Sequence, residues 1–328
     1  MRIRVVVIDS YMPEELRILY RERLDGIAEV EFFRSPPADV LAEAVVIVAW
    51  QPLPELVEPA SRCVLFQALS AGLGSRHMEL LAAHPGITLA NLHGNACGVA
   101  QHAVALLLAA ANRLVYYDAA MRRGEWGIDK DNPASLMLHR MTIGLLGLGA
   151  IGIQTARLLA PFGSRLVACT RTGTPRPDSP VQELWPVERL DTFLGVLDAV
   201  ILALPLTGAT RHLLDSRRLS RMKPGAVLVN VSRGGVVEEQ ALYEALHDGR
   251  LGAAGLDVWY EYRPPAVNGK KYPYHYPFHE LDNVVLSPHR SASPIFAPDR
   301  WEDVFENIRR AAAGTRPFLN EVDLTAGY

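Results

Sequence analysis

No apolar run in this chain approaches the roughly 20 residues that span a bilayer. Charge of one sign is scarce as well: 33 Lys and Arg stand against 36 Asp and Glu, a net charge of −3. Such a balance offers no basic footprint for DNA or RNA and none for an anionic membrane surface. Cysteine is sparse and odd in number, with Cys63, Cys97 and Cys169 far apart and each in apolar surroundings. That spacing argues against a disulfide framework and against a metal site, and predicts three reduced, buried thiols. No charged-then-apolar leader precedes the first strand-like stretch, Met1-Arg-Ile-Arg-Val-Val-Val-Ile-Asp9. No convincing internal repeat is present either. What is there is 328 residues, 49% apolar and 21% charged, enough for two sizeable cores. The expectation is a soluble cytoplasmic α/β protein.

Residues 3–9 predict a strand and Glu14–Arg23 a charged helix. Short apolar segments recur at Val30–Phe33, Ala44–Val48, Cys63–Leu69 and Ile87–Asn91, with helical patterns between them. This alternation predicts a parallel sheet with helices on both faces. A helix from about Ala96 to Arg113 is apolar nearly all round, which predicts burial between two domains. Residues 123–140 are polar and turn-rich, a crossing segment. A second alternating set follows, with six strands at 142–148, 165–170, 199–204, 226–231, 253–258 and 283–288. Beyond Pro294 and Pro298 comes an amphipathic helix at about 299–313, expected to return to the first domain. Residues 259–281, rich in tyrosine and proline and carrying Lys270-Lys271, are longer than most connections and read as a functional loop or a surface excursion.

The second set opens on Thr142-Ile-Gly-Leu-Leu-Gly147-Leu-Gly149-Ala-Ile-Gly152. The glycine spacing alone is weak, but here an apolar strand precedes it and a helical pattern, Ile153 to Phe162, follows. Gly147 would permit the tight turn, Gly149 the approach of a pyrophosphate, and Gly152 the close packing of helix on strand. Leu148, Ala150 and Ile151 complete a loop whose helix N-terminus would hold the pyrophosphate. The plainer alternative is a structural turn that binds nothing. The next strand should end where the adenosine ribose lies. An Asp or Glu there selects NAD, but this chain has Thr170-Arg171-Thr172, and no carboxylate occurs between Arg165 and Arg176. A hydroxyl and a guanidinium suit a phosphate, which makes NADP(H) the preferred cofactor. NAD(H) stays open if Arg171 is merely a solvated cation.

Polar groups recur at later strand ends, where such sheets build their sites. Leu204-Pro205 ends one strand, and Val231-Ser232-Arg233-Gly234-Gly235 ends the next with an arginine before a glycine pair. Asp257 and Glu261 follow a third, and Ser287-Pro288-His289 closes the last. Singly, each is more often structural. Together they supply what hydride transfer to a ketone needs: a cation for the developing alkoxide and an imidazole to protonate it.

With these motifs the chain resembles the D-2-hydroxyacid dehydrogenase family, which includes glyoxylate/hydroxypyruvate reductases, phosphoglycerate dehydrogenase, D-lactate dehydrogenase and formate dehydrogenase. The likeness runs from about Phe66 to Phe318 and is sharpest at Gly147–Gly152, Asn230–Gly235, Gly255–Val258 and Ser287–His289. It implies a Rossmann-type cofactor domain, 98–294, inserted into a discontinuous flavodoxin-like substrate domain, 1–97 and 295–328. Arg233 would clamp the substrate carboxylate and carbonyl, and His289 would be the acid/base. Asp257 would hold the nicotinamide amide. Leu204, Pro205, Val231 and Ser232 would line the cofactor. The loop Ser70-Ala71-Gly72 would bind the substrate carboxylate, and Asn95 falls where formate dehydrogenases bind substrate. The family's catalytic Glu normally falls at the position of Tyr262, so either Glu261, one residue early, reaches His289 or the histidine has another partner. The implied reaction is reversible reduction of a small 2-keto acid in a homodimer. Formate oxidation is the alternative within enzymes, although its usual Gln partner is missing between Gln240 and His289. A cofactor-sensing corepressor on the same fold is the alternative outside them.

Overall fold

The computed structural model describes residues 2–8, 12–70, 72, 74–126, 135–174, 179–266, 268–293 and 297–325. The chain divides into two compact units, Met1–Asn95 with Ser293–Tyr328, and Ala96–Ala292.

The first unit is built on five parallel strands: β1 (Ile3–Ile8), β2 (Ala28–Phe33), β3 (Val46–Ala49), β4 (Leu65–Ala68) and β5 (Thr88–Ala90), in the order β2-β1-β3-β4-β5. Its central strands are apolar apart from Arg4 in β1 and Gln67 in β4, as parallel strands covered on both faces require. Alternate residues serve opposite cores. Val5, Val7, Val46 and Val48 enter one, while Val6, Ile47 and Phe66 enter the other. The helix Glu302–Ala313 presses Val304, Phe305 and Ile308 into the first of these cores beside Tyr20 and Trp301. A buried amide pair adds specificity there: Asn307 Nδ2 donates to Gln67 Oε1 at 2.7 Å, in the middle of β4.

The second unit has seven parallel strands: β6 (Thr142–Leu146), β7 (Arg165–Thr170), β8 (Glu183–Pro186), β9 (Ala199–Leu202), β10 (Ala226–Asn230), β11 (Leu251–Leu256) and β12 (Val284–Leu286). Their order, β12-β11-β10-β9-β6-β7-β8, reverses between β6 and β9, the switch point at which doubly wound sheets bind ligands. The sequence pattern predicts six strands; β8 is the addition. It is a four-residue edge strand, nowhere fully buried, so it carries no apolar run to read. An Arg165–Glu183 ion pair joins it to β7, and the Arg189 guanidinium lies 4.3 Å over the Trp185 ring.

The helix Ala96–Ala111 packs on β10, β11 and the helix Ala150–Leu159, with nine residues buried. Leu114–Arg122 forms a further helix, which the sequence pattern does not announce because none of its residues is buried. The two ends of the segment 259–281 pack into this unit, while its described middle residues are mostly exposed. Trp259 and Phe278 are core residues, with Tyr260, Tyr274 and Tyr276 packed against the same core. Tyr260 and Glu261 both donate backbone N–H groups to Pro273 O. His275 donates its backbone N–H to the Glu239 carboxylate at 2.5 Å, and its ring Nδ1 lies 2.7 Å from the same group. All three thiols are free, but Cys97 is exposed, contrary to the expectation of three buried ones. Burial pushes the Cys63 and Cys169 thiols up to about 12. Among the described residues no single helix is long and apolar enough to cross a membrane.

Candidate active site

The glycine turn joins β6 to the helix Ala150–Leu159, and each glycine has a distinct steric reason. Gly147 has φ +100°, a conformation side chains rarely adopt, and a Cβ there would lie 2.5 Å from Ala203 O. A Cβ on Gly152 would lie 2.3 Å from Gly147 O, so only glycine lets the helix approach the strand. At Gly149 a Cβ would meet nothing within 4 Å. The fold leaves open space there, beside the first turn of a helix without a side-chain cap. Uncapped N–H groups facing free space are what a pyrophosphate requires. Leu148 is buried in the core and Ile151 packs against it, while Ala150 is half-buried. Leu204 borders the turn, its Cβ 3.2 Å from where a Gly147 Cβ would stand, and Pro205 is exposed.

At the end of β7, Thr170 Oγ1 accepts the Gly173 N–H at 3.0 Å, and Thr172 and Thr174 share a hydrogen bond at 2.6 Å. Arg171 and Thr172 are exposed. Residues 170–174 thus form a hydroxyl-bearing turn with an exposed arginine, and none of these five is a carboxylate.

The end of β10 is shaped by Asn230, which is buried. Its Oδ1 accepts from both the N–H and the hydroxyl of Ser232, at 3.0 and 2.8 Å, and its Nδ2 donates to Arg233 O at 3.1 Å. These three bonds fix the turn that presents Arg233. The guanidinium itself donates to Ser232 O at 2.7 Å and is half-buried. Val231 belongs to the core, and the Ser232 hydroxyl is committed to Asn230, so the backbone is what these two offer a cofactor.

Asp257, at the end of β11, is fully buried and organises the loop after β12. Its Oδ1 accepts the Ser287 hydroxyl at 2.5 Å and the Arg290 N–H at 2.7 Å; its Oδ2 accepts the Ser291 N–H at 2.9 Å. The three donors bracket His289, whose φ of +56° is left-handed and rare for a side-chain-bearing residue. Asp257 therefore holds both flanks of the strained residue. The site also gains a member that residue pattern alone does not reveal. His102 Nε2, on the helix Ala96–Ala111, lies 2.9 Å from Ser287 Oγ and 3.5 Å from Asp257 Oδ1. From the other side Trp259 Nε1 donates to Ser287 O at 2.8 Å.

His289 is pulled below the ordinary histidine value by its burial and by the Arg233 charge, with Asp257 opposing. Glu261 does not pair with it. That carboxylate accepts the N–H of Arg263 at 2.8 Å within its own turn, and among the described residues no ion pair joins it to His289. The side chain that does pack on His289 is Tyr262, with ring centroids 5.3 Å apart. The reason is local: the backbone of Glu261 is tied to Pro273, and its side chain closes a turn two residues long.

In the first unit, Ser70 Oγ donates to Trp50 O and Gly72 O, each at 3.3 Å. Gly72 is exposed, and Ala71 lies outside the described residues. Asn95 is half-buried, and its Oδ1 is buried without a hydrogen-bond partner among the described residues.

Residues 104–291 match the family profile described as D-isomer specific 2-hydroxyacid dehydrogenase, NAD binding domain. The chain belongs to the D-isomer specific 2-hydroxyacid dehydrogenase family. It is 33% identical over 303 residues to a hydroxypyruvate reductase of Thermotoga maritima, covering 91% of this chain and 94% of that one. It is 31% identical to the D-3-phosphoglycerate dehydrogenase of Methanocaldococcus jannaschii over 89% of its own length, but spans only about half (54%) of that relative. A D-isomer specific 2-hydroxyacid dehydrogenase from Xanthobacter autotrophicus Py2, solved in complex with NADPH and MES, superposes with a TM-score of 0.81 at 27% identity, over 100% of both chains. The family is one of nicotinamide-dependent oxidoreductases, and both sheets of this chain are those of its fold.

Proposed function

We propose that this protein reduces a small 2-keto acid to the D-2-hydroxy acid, reversibly, with NADPH. One observation carries the reading: a guanidinium and an imidazole held at the ends of β10 and β12, in the same unit as a glycine turn left open at Gly149. The bound cofactor supplies a hydride from its nicotinamide. The chain does the rest. The turn 147–152 holds the pyrophosphate on backbone N–H groups, and Thr170 with Arg171 accepts the 2′-phosphate. Arg233 pairs with the substrate carboxylate and stabilises negative charge as it grows on the carbonyl oxygen. His289 gives that oxygen its proton, and takes it back in the reverse direction. Asp257, Ser287 and His102 hold the loop that aims His289. Ser70, Ala71, Gly72 and Asn95 are the proposed substrate-binding residues of the first unit. Glu261 has no part in this reading.

Support for NADPH comes from Thr170-Arg171 in a stretch with no carboxylate between Arg165 and Arg176 and from the relative solved with NADPH. Support for a small substrate of the glyoxylate or hydroxypyruvate class comes from the reductase relative matched over nearly its full length. The reading extends to a homodimer in the cytoplasm. Leu114, Val115, Met121 and Trp126 are exposed apolar side chains on one stretch of the second unit, suited to a second copy. The test is a steady-state panel of glyoxylate, hydroxypyruvate, pyruvate and phenylpyruvate, each with NADPH and NADH. Turnover of at least one with NADPH preferred is expected; turnover of none rejects the reading.

A further inference from the structure

Five groups surround or hold His289, and three of them come from the one segment after β11 in the second unit. Arg233 faces it from the end of β10, and Asp257 from the end of β11. Tyr262 packs on its ring from the segment after β11. Trp259 and His102 reach Ser287, two residues before it, and His102 also lies 3.5 Å from Asp257 Oδ1. Of the charged groups, Arg233 repels an imidazolium. Asp257 attracts one, but both its oxygens already accept donors from the loop, which weakens its hold on a charge next door. The carboxylate nearest in sequence, Glu261, is turned into its own backbone. The position that touches the imidazole is filled by an aromatic ring that is itself about half exposed, 52%. Its phenol is pushed up by burial, against the pull of the Trp259 backbone and of Arg233, so it stays neutral and offers no ionic partner at neutral pH.

We propose that Tyr262 is the positioning residue of His289, an aromatic ring packed on the imidazole in the place of an ionic partner. The proposal rests on the reductase reading and specifies its pH behaviour. Reduction consumes the imidazolium: C–H and O–H bonds form on the carbonyl, the hydride coming from the cofactor and the proton from His289. Oxidation needs the neutral ring to take that proton back. A histidine held below its ordinary value is protonated only below that depressed pKa, and the charged form is lost as pH rises through it. Reduction therefore speeds up as pH falls and oxidation of the hydroxy acid as pH rises, with the crossover at lower pH than an ordinary histidine would give.

Two measurements on the full chain test this, and only one needs turnover. In histidine-labelled protein the His289 resonance, identified by its loss in His289→Asn, should titrate below 6.5, the ordinary value. Tyr262→Glu should raise that midpoint by about one unit or more, as an opposite charge at contact distance does. Tyr262→Phe should leave it in place. Tyr262→Leu should leave the midpoint low but lower kcat with little change in KM, since the ring no longer holds the imidazole. A wild-type midpoint at or above 6.5, or one that Tyr262→Glu fails to move while NADP binding is retained, overturns the proposal. In steady-state assays the reductive limb should shift with the midpoint, about tenfold in imidazolium ratio per unit. Failure of every keto acid would reject the reductase reading and leave the titration to decide Tyr262.

Discussion

The two halves of the seven-stranded sheet prepare for a ligand in opposite ways. Around β6 and β7 the chain offers backbone and empty space: an uncapped helix start, an open volume at Gly149, and a threonine folded back on Gly173. Around β10 to β12 it offers side chains that hold one another. Asn230 builds the turn before Arg233, Asp257 brackets His289, and His102 braces Ser287. The first half works by what has been left out, and a single added methyl group would spoil it. The second works by reciprocal hydrogen bonds, so removal of one partner disorders the others.

Substitutions can break that comparison, and the largest effect belongs to the side-chain half. Arg233→Ala should lower kcat/KM for keto-acid reduction by about 10²–10³-fold, the usual loss for a charge-stabilising group, while leaving NADPH binding intact. Retained turnover would remove Arg233 from the chemistry. Asp257→Ala would leave a buried hydroxyl and two backbone N–H groups without their acceptor. It should cost about 1–3 kcal/mol in denaturant unfolding and reduce kcat as well. An unchanged unfolding midpoint would mean that the loop does not depend on the carboxylate. The backbone half should respond to additions. Gly149→Ala meets no protein atom, so stability should hold while NADPH affinity falls by about 1–3 kcal/mol, or about five- to 150-fold. Gly152→Ala should reverse that pattern, destabilising the fold by about as much through the clash with Gly147 O. Calorimetry with and without NADP separates the two. Smallest is Thr170→Asp, which should move preference towards NADH by at most about tenfold, because the loop is open to solvent.

What could be read from residue order divides along the same line. The strands β1 to β7 and β9 to β12 announce themselves as apolar runs, and the glycine turn as a spacing, because both are local properties of consecutive residues. The edge strand β8 and the helix Leu114–Arg122 bury too little to leave a period. Arg233, Asp257 and His289 were visible as residue types at strand ends, but their partners were not. His102 and Ser287 are 185 residues apart in the chain, and no local pattern foretells their contact. Glu261 was misleading for a related reason. The family resemblance left it as one candidate partner of His289, yet the Pro273 hydrogen bonds set where its backbone lies, and its own turn takes the side chain. The aromatic segment 259–281 could be marked as unusual, but its part in the core follows only from Tyr243, Phe278 and Trp259 meeting in three dimensions.

Trp259 has one more consequence. Its indole is buried, packs tilted on Tyr274 and edge-on to Phe278, and gives its N–H to the carbonyl of Ser287, two residues before His289. An indole in that position is a built-in optical probe of the imidazole's perch. Displacing the 287–291 loop, by ligand or by substitution, would free the N–H and alter the emission of this one fluorophore. Among the chain's five tryptophans, Trp259 is thus the one hydrogen-bonded to the loop that carries His289.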